Sequence, residues 1–383
     1  MFLLSYFTRP KDYVQLPHRD ALPSPPLQYP HKRAIGRRHV VVILLVLLIS
    51  VVLNIVLFVK PMTYPQWTAL DNYQSLNHNP IVEPTVLPLL TANEQPEHFH
   101  DHHAVVTSLY SDDFAGGVAT LGHSLRQANT TARLIVIYIP DQVSPAALCL
   151  ATSTGFFPHP VKRIPPPHDG QGVYAHFLDQ FTKLNVWTLD QIGVRSLVYL
   201  DADTLVKRNF DELFALPFVF GAVPDVYIGK LGYALQFNAG VLFLHTSTEV
   251  FNDMVSKLTT AHYPLVDAEQ SFLNHYFGAE AVRLPYHYNV NLAIKYRSQA
   301  LWDGTASEHR VIHYTLVKPF IGRGPTYTPV KYEHLEWFTA QTATEDNGIF
   351  KEEMLWWRKV FRDMKRTYGD AQSKCLASGI GSL

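Results

Sequence analysis

The sequence predicts an α/β domain with a mostly parallel central sheet, preceded by a single membrane-spanning helix and a stem. Three observations carry this. From residue 104 onward, apolar runs of strand length alternate with stretches whose apolar residues recur at helical spacing. One run, Ser196-Leu-Val-Tyr-Leu200, passes without a break into two carboxylates, Asp201 and Asp203, at the strand end where such folds bind ligands. Residues 40–59 are twenty consecutive residues without a charge, enough to cross a hydrocarbon core of about 30 Å as a helix.

The composition fits one globular domain with appendages: 383 residues, 47% hydrophobic and 17% charged, with a formal net charge of -1. Thirty-two basic against thirty-three acidic residues leave no surplus to neutralise a nucleic-acid backbone. Basic residues cluster only at Lys32, Arg33, Arg37 and Arg38, directly before the apolar span. With Arg9, Lys11 and Arg19 they outweigh Lys60, the nearest basic residue beyond it. Residues 1–39 are therefore expected in the cytosol and the remainder in a lumen or outside the cell. A cleaved signal peptide would lie at the N-terminus, whereas this span follows a 39-residue polar arm.

Residues 60–103, rich in Pro, Asn and Gln, read as a stem. His98, His100, His102 and His103 close it, but a solvated stretch fixes no coordination geometry and they are assigned no metal. Cys149 lies in an apolar run and Cys375 in a Ser/Gly-rich tail, which leaves both a lumenal disulfide and two free thiols open. Asn129-Thr-Thr131 is an N-glycosylation acceptor triplet in an expected helix-to-strand loop.

The domain is placed at 104–340. Residues 104–109 read as a strand, 114–127 as a helix, 133–139 as a second buried strand and 144–152 as a helix. A proline-rich connection through Pro165-Pro-Pro167 follows, then a helix over 177–189 and the strand that ends on the acids. Beyond it come helical turns at 209–214, strands at 218–223 and 237–245, and helices at 247–260 and 268–276. Residues 341–383 form a C-terminal segment with an amphipathic helix at 352–366, read as packing through Leu355, Trp356, Val360 and Met364.

The acids carry the chemistry. Extended chain places Asp201 and Asp203 on one face, where both can hold a hard divalent cation that keeps water or phosphate oxygens as its other ligands. His313, after the strand-like Arg310-Val-Ile312, adds an imidazole, and such an N/O set suits Mn²⁺ better than Mg²⁺. Lys183 and Lys318 are then the cations that meet diphosphate oxygens. Singly, each reads as an ordinary structural histidine or a solvated lysine; their joint placement with the acid pair is what favours function.

Four stretches, Thr182-Lys-Leu-x-x-Trp187, Tyr199-Leu-Asp-Ala-Asp-Thr-Leu205, Phe237-Asn-Ala-Gly240 and Ile312-His-Tyr-Thr-Leu-Val-Lys-Pro-Phe320, occur in an order and spacing that resembles the glycogenin-like retaining glycosyltransferases of family 8. The resemblance covers roughly residues 104–320. It implies a GT-A fold, a Rossmann-like nucleotide-diphospho-sugar transferase domain, with a UDP-sugar donor and Mn²⁺. It also implies transfer that keeps the anomeric configuration. By the same resemblance Asn238 and Asp225 bond the donor sugar's hydroxyls, and Gly240 lets backbone approach the ligand. Glu269 and Gln270, in Asp267-Ala-Glu-Gln270, lie near the reacting face, and with Lys183 and Asp225 they form the expected catalytic set. Ser108, Tyr110 and Phe114 fall where the family cradles the uridine. Front-face attack is favoured over a covalent intermediate, because no carboxylate is clearly placed as a nucleophile.

The chain departs from the family in places. The loop His313-Tyr-Thr-Leu-Val-Lys318 lacks the family's glycine and is one residue short, and Tyr174 stands near the position of an arginine in glycogenin. Tyr296 matches the spacing of glycogenin's acceptor tyrosine, yet a membrane-anchored lumenal chain argues for a plain surface or packing role. Two other classes compete. Tyr199-Leu-Asp-Ala-Asp-Thr-Leu205 also fits the entry motif of haloacid-dehalogenase phosphohydrolases, but that motif normally ends a domain's first strand. A non-catalytic binding relative would be expected to lack a metal ligand, and Asp201, Asp203 and His313 are all present. The expected setting is a type II protein of the Golgi or another secretory membrane, with glycan or glycolipid acceptors and no nucleic-acid partner.

Overall fold

The computed structural model describes residues 37–63, 102–228, 236–278, 280–323 and 327–380. The chain divides into two units, 1–66 and 67–383. The first contains helix α1, Arg37–Thr63. Its segment Arg37–Ile55 has a mean hydropathy of 2.5 and is exposed throughout, so by length and composition it is able to cross a membrane. Residues 1–36 of the expected cytosolic arm and nearly all of the stem, His98 and His100 included, lie outside the described residues, while Arg37, Arg38 and His39 of that arm belong to α1. His102 and His103 lie inside them, and His103 opens the first strand, its Nδ1 2.7 Å from the Ser196 hydroxyl.

The second unit is built on a seven-stranded sheet. In chain order its early elements are β1 (His103–Leu109), α2 (Ala115–Gln127), β2 (Arg133–Tyr138), α3 (Pro145–Thr152), β3 (Phe157–Pro160) and β4 (Ser196–Leu200). The short strand β5 (Thr204–Val206) follows, then β6 (Phe220–Pro224), β7 (Phe237–His245), α4 (Thr248–Lys257), α5 (Ala268–Tyr276) and β8 (Val282–Arg283). The spatial order is β3-β2-β1-β4-β7-β6-β8. Pairs among β3, β2, β1 and β4 are parallel, β7 runs antiparallel to both β4 and β6, and β6 and β8 are parallel again. The expected mostly parallel α/β sheet is thus present, with β7 running against the other strands.

Sequence explains the layering. Every residue of β1 and β4 is buried, as strands covered on both faces require. β3 lies at the sheet edge with Pro158 and Pro160, which cannot donate to a further strand. It was not foreseen, because two prolines in four residues hide a strand signal. Ser144 caps α3 by accepting from the Ala147 N–H at 3.2 Å, with Pro145 at the first helical position, and Ser247 caps α4 in the same way. The helix expected at 177–189 is instead a 3-10 run, Gln180–Ile192, stopped by Gly193 at φ 81.

A second, three-stranded sheet follows the order β5-β10-β9, with β9 at Val290–Asn291 and β10 at Val311–His313. Between them lie α6 (Leu292–Arg297) and α7 (Gln299–Thr305). The chain ends with β11 (Ile321–Gly322), β12 (Thr328–Pro329), α8 (Leu335–Thr342) and α9 (Lys351–Ile380). α9 is longer than the expected 352–366 and buries Met354, Trp357, Phe361 and Met364 in the same core as α2 and β4. Cys375 near its end forms a disulfide with Cys149 of α3, Cα to Cα 5.5 Å, which closes the alternative of two free thiols.

Candidate active site

The acid pair meets through a turn and not through strand alternation. β4 ends at Leu200, and the Thr204 N–H and hydroxyl both donate to the Asp201 carbonyl, at 3.0 and 2.8 Å, folding Ala202 and Asp203 into a reversal. The chain leaves the turn as β5 and changes sheet. β5 pairs antiparallel with β10 in a register that sets Thr204 opposite His313, and the Tyr314 N–H donates to the Asp203 carbonyl at 3.0 Å. That register carries His313 to the acids. Its Nε2 lies 3.3 Å from Asp203 Oδ1 and 4.0 Å from Asp201 Oδ2. One ligand atom from each of the three residues lies within 4.8 Å of the others.

Two lysines flank this group. Lys183 is 1% exposed, and its ammonium reaches Glu269 at 2.6 Å, Asp201 at 3.1 Å and the Ala239 carbonyl at 3.2 Å. Burial works against that charge, but Asp201 and Glu269 outweigh it and hold the lysine above its ordinary range. Lys318 donates to Asp203 Oδ2. Burial alone would raise the Asp203 carboxyl; the Lys318 ammonium beside it holds it well below the usual carboxylate range. Burial pushes Glu269 upward, and the contact with Lys183 pulls it back toward the carboxylate. Three carboxylates face two ammonium groups, so the cluster leaves negative charge for a cation to balance.

The ring of His313 is oriented from behind. Its Nδ1 lies 3.0 Å from Oδ1 of Asn289, which fixes Nδ1 as the protonated nitrogen and leaves the Nε2 lone pair toward the acids. Asn289 in turn donates to Asn238 Oδ1 at 2.9 Å, and the Gly240 N–H donates to the same oxygen at 3.0 Å. A Cβ at Gly240 would collide with the His313 ring, so glycine at 240 makes room for that imidazole. This nitrogen and oxygen set, one imidazole with a defined tautomer and two carboxylates, fits a divalent cation that accepts hard and borderline ligands.

The sugar-side residues form a second network. Gln270 donates to Asp225 Oδ2 at 2.9 Å and accepts from the Ala239 N–H at 2.9 Å. Asp225 Oδ1 accepts from the Val226 N–H at 2.7 Å and from Asn238 at 3.3 Å. Burial raises the Asp225 carboxyl, and these donors oppose the rise. Ala268, just before Glu269, has φ 48, a left-handed conformation that costs a non-glycine residue free energy. It begins α5 so that Glu269 and Gln270 face the cleft.

A cavity of about 310 Å³ opens on this group. It brings together Ser108, Tyr110, Phe114, Lys183, Asp201, Asp203, Asn238, Glu269, Gln270, His313 and Lys318. Asp225 and Gly240 do not line it: they stand behind Asn238 and Gln270, and behind His313. Tyr296, 55% exposed on α6, is also outside it. Sequence reasoning missed Asn289, and Tyr199, whose hydroxyl donates to Asp201 Oδ1 at 3.0 Å and lies 2.7 Å from Ser108. It also missed Thr315, His176 and Tyr327 of the cavity wall. Asn289-Val-Asn291 carried a usable signal, two amides two residues apart at the entry of a short strand before a helix. His176 and Tyr327 carried none, since they come from separate loops.

Comparison with known proteins gives a consistent result. The family model described as Glycosyl transferase family 8 matches residues 175–320, which include the acids, His313 and both lysines. Glycogenin from Neurospora crassa is 28% identical over 232 residues, 59% of this chain and 33% of that protein. Inositol phosphorylceramide glucuronosyltransferase 1 from Arabidopsis thaliana is 28% identical over 57% of this chain and 42% of its own length. Galactinol synthase 2 from Solanum lycopersicum is 29% identical over 55% of this chain and 70% of its own. The chain therefore spans less than half of the first two relatives.

Proposed function

We propose that this chain, which belongs to glycosyltransferase family 8, is a metal-dependent retaining transferase that moves a hexosyl unit from a UDP-sugar to a glycan, glycolipid or similar acceptor in the secretory pathway. The observation that carries the reading is the convergence of Asp201, Asp203, His313, Lys183 and Lys318 on one cavity at the carboxyl end of β4. Mn²⁺ is the ion we infer for Asp201, Asp203 and His313, and when bound it would neutralise the charge that builds on the diphosphate as the sugar departs.

The protein's own groups do the rest. Lys318, its side chain 16% exposed, presents an ammonium to diphosphate oxygens, and Lys183 balances Asp201 and Glu269 from below. Ser108, Tyr110 and Phe114 receive the uridine at the end of β1. Asn238 and Gln270, held by Asp225, offer amides to the sugar's hydroxyls. Glu269 is committed to Lys183, which favours front-face attack over a covalent intermediate on that carboxylate. The expected setting is a type II protein of the Golgi or a related membrane. The basic residues before α1, the apolar span itself and the Cys149–Cys375 disulfide, a bond of oxidising compartments, all support it.

The test is donor hydrolysis by the detergent-solubilised chain against a panel of UDP-sugars, with Mn²⁺ and with EDTA. Metal-dependent cleavage of one donor that disappears in Asp203→Ala is expected. Silence across the panel, together with no Mn²⁺-dependent UDP binding in calorimetry, would make the chain a non-catalytic relative.

A further inference from the structure

The turn between α2 and β2 lies at the amino end of the parallel strands, the opposite end of the sheet from the cleft. It holds the triplet Asn129-Thr-Thr131. Asn129 is exposed, has φ 56, and its side-chain amide makes no hydrogen bond to the described residues. The two threonines are placed differently. Asp211 grips both: the Thr130 hydroxyl donates to Oδ1 at 2.6 Å, and the Thr131 hydroxyl and N–H donate to Oδ2 at 3.0 and 2.8 Å. Asn209 closes the turn further by donating to the carbonyls of Ala128 and Asn129 at 3.2 and 3.0 Å.

We propose that Asn129 carries an N-linked glycan, and that it is added before Asp211 closes on the threonines. The hydroxyl two residues on is what separates an acceptor triplet from an ordinary asparagine. In the folded chain that hydroxyl is bound to a carboxylate, and the asparagine sits in a tight left-handed turn, so the triplet is presentable only while the turn is open. The donor class is an oligosaccharide on a polyprenyl diphosphate. Asn129 Nδ2 forms a bond to the anomeric carbon, the bond from that carbon to the diphosphate oxygen breaks, the lipid diphosphate leaves, and the Nδ2 proton passes to a base. Once in place the glycan projects into solvent, clear of the cavity.

The proposal rests on the lumenal placement argued above, and the disulfide separates the two. The full chain is expressed in eukaryotic cells and its membrane fraction is treated with a glycan-removing amidase and, separately, with a thiol-alkylating reagent before and after reduction. The expected result is a drop of one glycan in apparent mass, absent in Asn129→Gln and Thr131→Ala and retained in Thr131→Ser. Cys149 and Cys375 resist alkylation until reduced. Occupancy in Asp211→Ala should equal that of the natural sequence, since addition precedes the clamp; higher occupancy would overturn the order of events. No mass change with protected cysteines overturns the glycan and leaves the lumenal placement standing. No mass change with both cysteines alkylated without reduction overturns the placement, and the glycan with it.

Discussion

Nδ1 of His313 lies 3.0 Å from Oδ1 of Asn289, and this one contact decides which ring nitrogen is left for a cation. Asn289 is 1% exposed and spends its amide on Asn238, so it has no freedom to turn away. Substituting it removes the acceptor that holds the proton on Nδ1. Asn289→Leu should weaken Mn²⁺ binding by about 10–100-fold, the usual cost of losing the partner of a metal-ligating histidine. Titration calorimetry of the UDP-bound chain reads this directly, with Asn289→Asp, which restores an acceptor, recovering most of the affinity. Unchanged affinity in Asn289→Leu would remove the residue from the site.

Lys183 is the charge on which the buried acids depend. Lys183→Met leaves Asp201 and Glu269 facing each other with no cation between them, and the loss should be about 3–5 kcal/mol, typical of stranding a buried charge. Urea unfolding measures it as a lower midpoint. Pairing the change with Glu269→Gln should recover part of the loss; a double variant as unstable as the sum of both singles would show that the two residues do not interact.

Much of this was legible in the sequence because it is local. The strand over 237–245 coincides with β7, and the apolar run before Asp201 is β4, since continuous burial leaves a continuous apolar record. The cluster of Asp201, Asp203 and His313 was legible by residue type, but the geometry that joins its members was not: extended chain was expected between Asp201 and Asp203, and a turn joins them. His313 reaches them through the β5–β10 register, a pairing across more than a hundred residues that no window reveals. Asn289, Tyr199 and the Cys149–Cys375 bond escaped for the same reason, being facts of tertiary contact. The residues behind the cleft, Asp225 and Gly240, were marked by resemblance for ligand contact, whereas their neighbours show them bracing Gln270 and seating His313.

Acid should weaken the fold through His309. Its ring is buried against Trp302, centroids 4.8 Å apart, with Nε2 3.0 Å from the Thr305 hydroxyl, and burial lowers its pKa to about 3. The folded state therefore refuses a proton that the unfolded chain accepts below about 6.5. Between those values stability rises with pH and falls as acid is added, by about 1.4 kcal/mol per pH unit for this one group. His309→Gln should flatten the decline in melting temperature between pH 6.5 and 5 relative to the natural chain. Parallel declines in the two proteins would mean that other groups govern acid sensitivity.

The Cys149–Cys375 bond ties the end of α9 to α3 across a sequence separation of 226. A cross-link over so long a loop restricts the unfolded chain strongly, and its loss should cost about 2–5 kcal/mol. The effect need not stop at α9. Phe114 of the expected uridine site packs edge-on against Phe320 at 5.5 Å, and Phe320 packs on Trp357 of α9 at 6.2 Å, so the helix braces one wall of the cavity. Cys149 is exposed and open to reductant. Dithiothreitol should therefore lower the melting temperature of the natural chain, while Cys149→Ser melts low from the start and does not respond. A natural chain that melts at one temperature with and without reductant would show that the bond contributes nothing to the fold.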